Sequence, residues 1–167
     1  MSCAFDEERP PQFGDLLSRC QFVVPDANLI TVDGRSWCPY HCPMTNENDE
    51  PTQKASWDED KLATFQQEIR RRYTYALEQE STLDLTGVIF PSRQDFSNIT
   101  FPAVSFAKAT FSGEARFHGA TFSGEAEFGE ATFSRITGFQ EAMFSQEAGF
   151  DSVTFSGGAR FVKAIVV

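Results

Sequence analysis

Phenylalanine recurs at every fifth or sixth position in the second half of the chain: Phe101, Phe106, Phe111, Phe117, Phe122, Phe128, Phe133, Phe139, Phe144, Phe150, Phe155 and Phe161. After Phe111 the steps alternate between six and five, so the unit is eleven residues. An α-helix, at roughly 100° per residue, would set successive rings about 140° apart and split them over two faces. The Ser, Thr and Gly between the rings would weaken it further. A flat strand fails as well, because a five-residue step changes sides and a six-residue step does not. A chain that turns a corner after each Phe satisfies both steps. Each short extended piece then points one ring inward, and "SGE" or "HG" makes the bend, with Gly supplying the unusual backbone angles. Two positions before the twelve rings stand eight Ala, with Ile99, Val104, Thr137 and Val153 in the other places. In a narrow closed coil a bulky inward residue demands a small inward neighbour. The pattern predicts a β-solenoid whose coils stack Phe on Phe.

This pattern resembles the pentapeptide-repeat family, whose unit is a small residue, a variable one, a central Leu or Phe, and two more. The resemblance spans residues 83–167, with the register kept over sixteen central positions from Leu85 to Val166. It implies a mainly β fold, a right-handed quadrilateral β-helix with one repeat per side, in four coils rising about 4.8 Å each. Two departures stand out. Alternate sides carry six residues, which predicts a coil of 22, and the Asp or Asn common before the family's central residue gives way to Thr110, Arg116, Thr121, Glu127, Thr132 and Gly138.

Ahead of the repeat the chain divides into a Cys/His-rich segment at 1–43, a polar linker at 44–55 and an α-helix at 56–80. Ser56 is placed to cap that helix, with Glu59 completing a capping box. Trp57, Leu62, Phe65, Ile69, Tyr73 and Leu77 then form one apolar stripe. A stripe next to the first repeat reads as a lid on the solenoid. Arg70, Arg71 and Arg72 read as a solvated face pairing with acids such as Glu68.

The first segment holds all four cysteines, and Asp33-Gly34 between two short strand-like runs predicts a hairpin. "SWCPYHCP" places Cys38 three residues before His41, a spacing that lets a thiolate and an imidazole grip one ion. Cys3 and Cys20 complete a tetrahedral set, and Cys42 is the spare, with its exchange for one of the four left open. Structural zinc is the first reading, free thiols the second and disulfides the last. A metal also explains how about forty residues with few large apolar side chains fold.

The formal charge is -10, of which -7 falls on residues 1–82 and -3 on residues 83–167. The net negative charge makes nucleic acid an unexpected partner, and -3 over the repeat is weak for mimicry of a duplex. The opening "MSCAFDEERPPQF" has acids where a secretory signal has bases, and no apolar run reaches the roughly 18 residues a membrane helix needs. A cytoplasmic protein with no membrane partner is expected. The repeat's one histidine, His118, falls at an outward corner, and a Phe-filled interior leaves no pocket, so the chain reads as non-enzymatic. The ladder Ser112, Ser123, Ser134, Ser145, Ser156 reads as a corner requirement. What remains is a scaffold that meets another protein. The alternative, implied by the family resemblance, is a DNA mimic that binds a type II topoisomerase such as gyrase. Because Ala164 and Val166 stay in the inward register to the end, the last coil is expected either to pair end to end in a homodimer or to continue in a longer protein.

Overall fold

Each step of the repeat becomes a side of a coil because a tight turn follows every second central residue. Gly87, Asn98, Lys108, Gly119, Glu130, Glu141, Ser152 and Lys163 all hold φ between 56° and 68°. The next residue closes each turn, its N–H donating to the central residue's carbonyl: Ile99 to Phe96 at 3.4 Å, Ala109 to Phe106 at 2.9 Å, Ala131 to Phe128 at 2.9 Å. A positive φ at the third position defines a type II turn.

Glycine was expected to supply these angles, and it does so at Gly119 of "HG". At the "SGE" corners it does something else. Gly124 has no positive φ; a Cβ there would lie 2.5 Å from the backbone nitrogen of Ala103, so glycine lets one coil approach the one below. The left-handed positions are mostly Asn, Lys, Glu and Ser, each bearing a cost on the order of 1 kcal/mol. Hydrogen bonds between coils hold them there, as where Lys108 N–H donates to Gly129 and Glu130 N–H to Asp151, both at 2.8 Å.

The computed structural model describes residues 3–5, 20, 22 and 24–167. They fall into two compact units divided after Phe65. In the second, sixteen two-residue strands form four parallel four-stranded sheets. The first sheet joins Leu83–Asp84, Val104–Ser105, Ala126–Glu127 and Ala148–Gly149; the second Ile89–Phe90, Thr110–Phe111, Thr132–Phe133 and Thr154–Phe155. The third joins Gln94–Asp95, Ala115–Arg116, Thr137–Gly138 and Ala159–Arg160; the fourth Thr100–Phe101, Thr121–Phe122, Met143–Phe144 and Ile165–Val166. Each sheet takes one strand from each of four coils. Partners lie 22 residues apart in the upper coils (Thr110↔Thr132) but 21 apart in the lowest (Ile89↔Thr110), where Phe101 and Phe106 are separated by a five-residue step.

The rings stack in columns along the coil axis. Phe90, Phe111, Phe133 and Phe155 follow one another at 4.6, 4.6 and 5.0 Å between centroids, within 10° of parallel. Rings of neighbouring columns meet edge to face, as Phe128 and Phe139 do at 5.6 Å and 90°. Both arrangements suit the aromatic quadrupole. The Ala at 109, 115, 120, 131 and 142 are fully buried between them. Burial fails only at the last coil, where Phe161 is 44% exposed.

Helix α1 spans Glu59–Glu78. The cap is Asp58, whose Oδ1 accepts the Lys61 N–H at 3.0 Å, while Ser56 Oγ donates to the Gln53 carbonyl within a 3-10 turn, Gln53–Ser56. The cap therefore lies two residues beyond the expected Ser56, and Lys61 stands where a capping box would need Glu or Gln. Asp58 combines a good cap geometry with charge at the positive helix end, next to Glu59 and Asp60. From Gln66 onward α1 lies on the first coil, in the manner of a lid. Tyr73 sits edge-on to Phe101 at 6.0 Å and donates its hydroxyl to the Thr100 carbonyl at 2.8 Å. Gln66 Nε2 donates to Gln94 Oε1 at 2.9 Å. The stripe closes with buried Ala76, and Leu77 points to solvent. The arginine run divides as expected for a solvated face, with Arg71 and Arg72 both on Glu68, at 2.7 and 3.1 Å.

The columns make different demands at different heights. Replacing fully buried Phe133 with Ala should destabilise the protein by about 3–5 kcal/mol in chemical denaturation. Phe161→Ala, at the exposed end of its column, should cost less than half as much. Equal losses would show that the rings do not form the core.

Candidate metal centre

The first unit is built round a hairpin. Strands β1 (Ile30–Val32) and β2 (Arg35–Trp37) pair antiparallel across Asp33 and Gly34, whose φ values of 49° and 74° make the two-residue turn that an Asp-Gly pair favours. Immediately after β2 the chain tightens, as the N–H groups of His41 and Cys42 donate to the Cys38 carbonyl at 3.2 and 3.0 Å. That turn puts the side chains of Cys38 and His41 side by side. On the other edge of β2, Ala4 N–H donates to the Ser36 carbonyl at 2.6 Å, and Arg35 Nη2 donates to the Ala4 carbonyl at 3.0 Å. These bonds bring Cys3 to the same place.

All four residues expected to form the site converge. Nδ1 of His41 lies 3.2 Å from Cys38 Sγ, 3.4 Å from Cys20 Sγ and 3.9 Å from Cys3 Sγ. The Cys20 and Cys38 sulfurs are 3.6 Å apart. The ligand atoms of Cys3, Cys20, Cys38 and His41 all fall within 4.8 Å of one another, close enough to hold a metal ion. A tetrahedral ion with metal–sulfur bonds of about 2.3 Å and metal–nitrogen bonds of about 2.0–2.1 Å needs donor separations of about 3.5–3.8 Å, and the four separations above, 3.2–3.9 Å, lie round that range. The backbone supports it too, since Cys38 N–H donates to Cys3 Sγ at 3.2 Å. Rings pack round the imidazole, with Phe5 stacked on it at 3.9 Å and 7°, and Phe22 edge-on at 5.5 Å.

The electrostatics are those of a site crowded with anions. The neighbouring sulfurs of Cys20 and Cys38 hold the Cys3 thiol well below its ordinary range, while Cys3 and Cys38 push that of Cys20 well above. Burial opposes charge on His41, but the Cys3 and Cys38 sulfurs outweigh it and raise the imidazole to about 9. Sulfurs crowded in this way favour a cation among them, and coordination to a divalent ion deprotonates a thiol outright. Three soft sulfurs and one imidazole favour a thiophilic ion with tetrahedral geometry.

Cys42 stands outside the set. Its sulfur lies 3.5 Å from the Pro43 carbonyl, and burial raises the thiol to about 11. Beside it is a residue that sequence reasoning left in a linker. The stretch 44–55 closes on itself through a Thr45↔Pro51 bridge, with Asn46 Oδ1 accepting from the N–H groups of Asn48 and Glu50. Thr52 Oγ1 donates to the Pro43 carbonyl at 2.6 Å. The 3-10 turn that follows carries Lys54 inward to 1% exposure, where its ammonium donates to the Tyr40 carbonyl at 3.1 Å. Burial lowers the Lys54 ammonium to about 7 against the pull of Cys42 and Cys38. No periodicity marks such a residue, because a single inward lysine in a polar run leaves no pattern.

In the second unit the site-like features are turns. His118 is exposed at its corner. The serine ladder bonds between coils, Ser123 donating through both N–H and hydroxyl to the Phe101 carbonyl at 2.9 and 2.7 Å. A cleft of about 500 Å³ lies between the second half of α1 and the first coil, lined by Ile69, Arg70, Tyr73, Arg93, Asp95 and Ile99 among others.

Residues 85–132 and 96–143 match the family described as Pentapeptide repeats (9 copies). Residues 85–143 are pentapeptide repeats. No curated protein and no solved structure matches the chain. The pentapeptide-repeat register explains why an acid or amide suits the position before the central residue. Asp84 Oδ1 accepts the N–H of Thr86 at 3.0 Å, and Asp95 Oδ1 that of Ser97 at 3.1 Å. Ser105 and Glu127 do the same for Ala107 and Gly129. Arg116, Gly138, Gly149 and Arg160 offer no acceptor there, so those turns rely on ladder hydrogen bonds and stacked rings.

The geometry separates the two neighbouring cysteines. Cys38→Ser should abolish stoichiometric metal binding, measured by elemental analysis after desalting, whereas Cys42→Ser should leave it unchanged. Loss of metal in Cys42→Ser alone would mean that Cys42 is the ligand.

Proposed function

We propose that this chain is a non-enzymatic scaffold that meets another protein along the uncharged faces of its pentapeptide-repeat solenoid, with a structural zinc ion holding its N-terminal unit. The observation that carries the reading is the distribution of charge. Every charged strand residue of the solenoid, Asp84, Glu127, Asp95, Arg116 and Arg160, lies in the first and third sheets. The second and fourth sheets present Thr100, Thr110, Thr121, Thr132, Thr154 and Met143, with apolar Ile89 and Ile165. Burying hydroxyls and a thioether against a partner costs far less than burying ions, and contact cores are depleted in charge for that reason. Met143, 40% exposed on the fourth sheet, is the apolar anchor of such a face.

Structural zinc follows from the donor set, since four protein ligands fill a tetrahedron and leave no open position for substrate. It would link the start of the chain to the hairpin. The solenoid's charges argue against duplex mimicry, because four of its nine acids are paired with bases: Glu114 with Arg116 at 2.9 Å, Asp95 with Arg93 at 3.1 Å, Glu130 with Lys108 and Glu141 with Lys163 at 3.5 Å.

Two measurements test the two parts. Protein purified without added metal should contain about one equivalent of zinc, and less than about a tenth of an equivalent with the N-terminal unit folded would overturn the zinc reading. Affinity capture from a lysate of the source cells should retain a partner with the wild-type chain and lose it with Met143→Arg. Capture unaffected by that change, together with potent inhibition of gyrase supercoiling, would replace the scaffold reading with the DNA-mimic one.

A further inference from the structure

We propose that Lys54 is the counter-charge of the metal centre, an ammonium kept in the interior so that a site with three thiolates can hold a divalent ion without a net negative charge remaining there. The inference rests on the zinc reading above. With Cys3, Cys20 and Cys38 as thiolates and His41 neutral, a loaded site carries three negative charges against two positive ones. One uncompensated charge in a buried place is costly, and a nearby cation offsets it.

Lys54 is placed for that role. It is among the most deeply buried side chains of the protein, at 1% exposure. Its Nζ donates to the carbonyl of Tyr40, which lies in the turn between the ligands Cys38 and His41. That hydrogen bond anchors the cation to the backbone that aims two of the four donors. The rest of its surroundings tolerate positive charge, since Nζ lies 5.4 Å from the ring centre of Trp57 and 5.2 Å from that of Phe65. Burial alone draws the proton off Lys54, lowering the ammonium to about 7, and the sulfurs of Cys42 and Cys38 pull the other way. A lysine in so polar a loop had every opportunity to face water. Its inward course is set by the Thr52 and Tyr40 hydrogen bonds, which turn the loop back towards the metal ligands.

The role has a signature that packing alone does not share, because it depends on the charge of the site. Zinc affinity is measured by competition with a chromophoric chelator at fixed pH in four proteins: wild type, Lys54→Met, Cys20→His, and the double variant. Lys54→Met should loosen zinc by about 10–100-fold, the usual effect of removing a group that supports metal ligands. Cys20→His removes one thiolate and makes the loaded site neutral, and in that background Lys54→Met should change affinity by less than about 3-fold. Lys54→Gln keeps an N–H donor for Tyr40 but drops the charge. It should loosen zinc as much as Lys54→Met does, and it stands in if that variant does not fold. In a Cys42→Ala background the loss should persist, and its disappearance would mean that Lys54 serves Cys42 instead. Wild-type affinity in the Lys54 variants, or an equal loss in both thiolate backgrounds, overturns the inference while leaving the zinc reading intact. A wild-type chain that takes up no zinc overturns both.

Discussion

Rings stacked at the spacing of adjacent strands are the constraint on which the second unit depends. Strands in a ladder lie about 4.8 Å apart, and offset aromatic rings are content at the same separation. Backbone hydrogen bonding and aromatic packing therefore ask for one rise, and Phe117, Phe139 and Phe161 meet it at 4.7 and 4.9 Å. The small inward neighbours follow from this, because a ring in every column leaves space for little more than the methyl of Ala109 or Ala120 between them. The coil length tolerates a change of one residue, since the lowest coil has 21 and Phe90 still stacks on Phe111 at 4.6 Å.

Corners are where this regularity is maintained at some expense. Six of the eight left-handed turn positions are not glycine, so the chain holds strained backbone that isolated turns would release. The ladders above and below over-determine each corner, as they do at Glu130, between Lys108 and Ser152. Ion pairs between coils, such as Lys108 with Glu130, sit on these corners and are too exposed to add much. The solenoid is thus stabilised from within, which leaves its outer faces free to vary in charge. That freedom is what allows two sheets to be charged and two to be neutral.

The first unit is organised differently. Its short hairpin and closed loop have no ring column to define them, and what they share is the convergence of Cys3, Cys20, Cys38 and His41, with Phe5 and Phe22 packed on the imidazole. Crowded thiols that disturb one another's ionisation are unfavourable by themselves and become favourable round a cation. Buried Lys54 fits the same electrostatic logic from the other side. One unit takes its order from dispersion and stacking, and the other is arranged for charge.

Sequence by itself determined the period, and with it the solenoid, the inward residues and the coil of 22 above the first. Those depend on a local rule repeated many times, so that errors in one repeat are corrected by its neighbours. It also marked Cys38 and His41 as a pair, because a single turn relates them, and offered Cys3 and Cys20 to complete a tetrahedron, with the exchange of Cys42 for one of the four left open. Tertiary structure decided the rest. Asp58 rather than Ser56 caps the helix because the 3-10 turn before it already occupies Ser56. Gly124 serves close approach because the backbone of Ala103 lies beneath it, 21 residues earlier in the chain. Lys54 turns inward because a loop closed by Asn46 and Thr52 returns it to Tyr40. Each of these depends on contacts between segments that no local pattern couples, and a burial or a cap decided by a distant neighbour is written in the sequence only at that one residue.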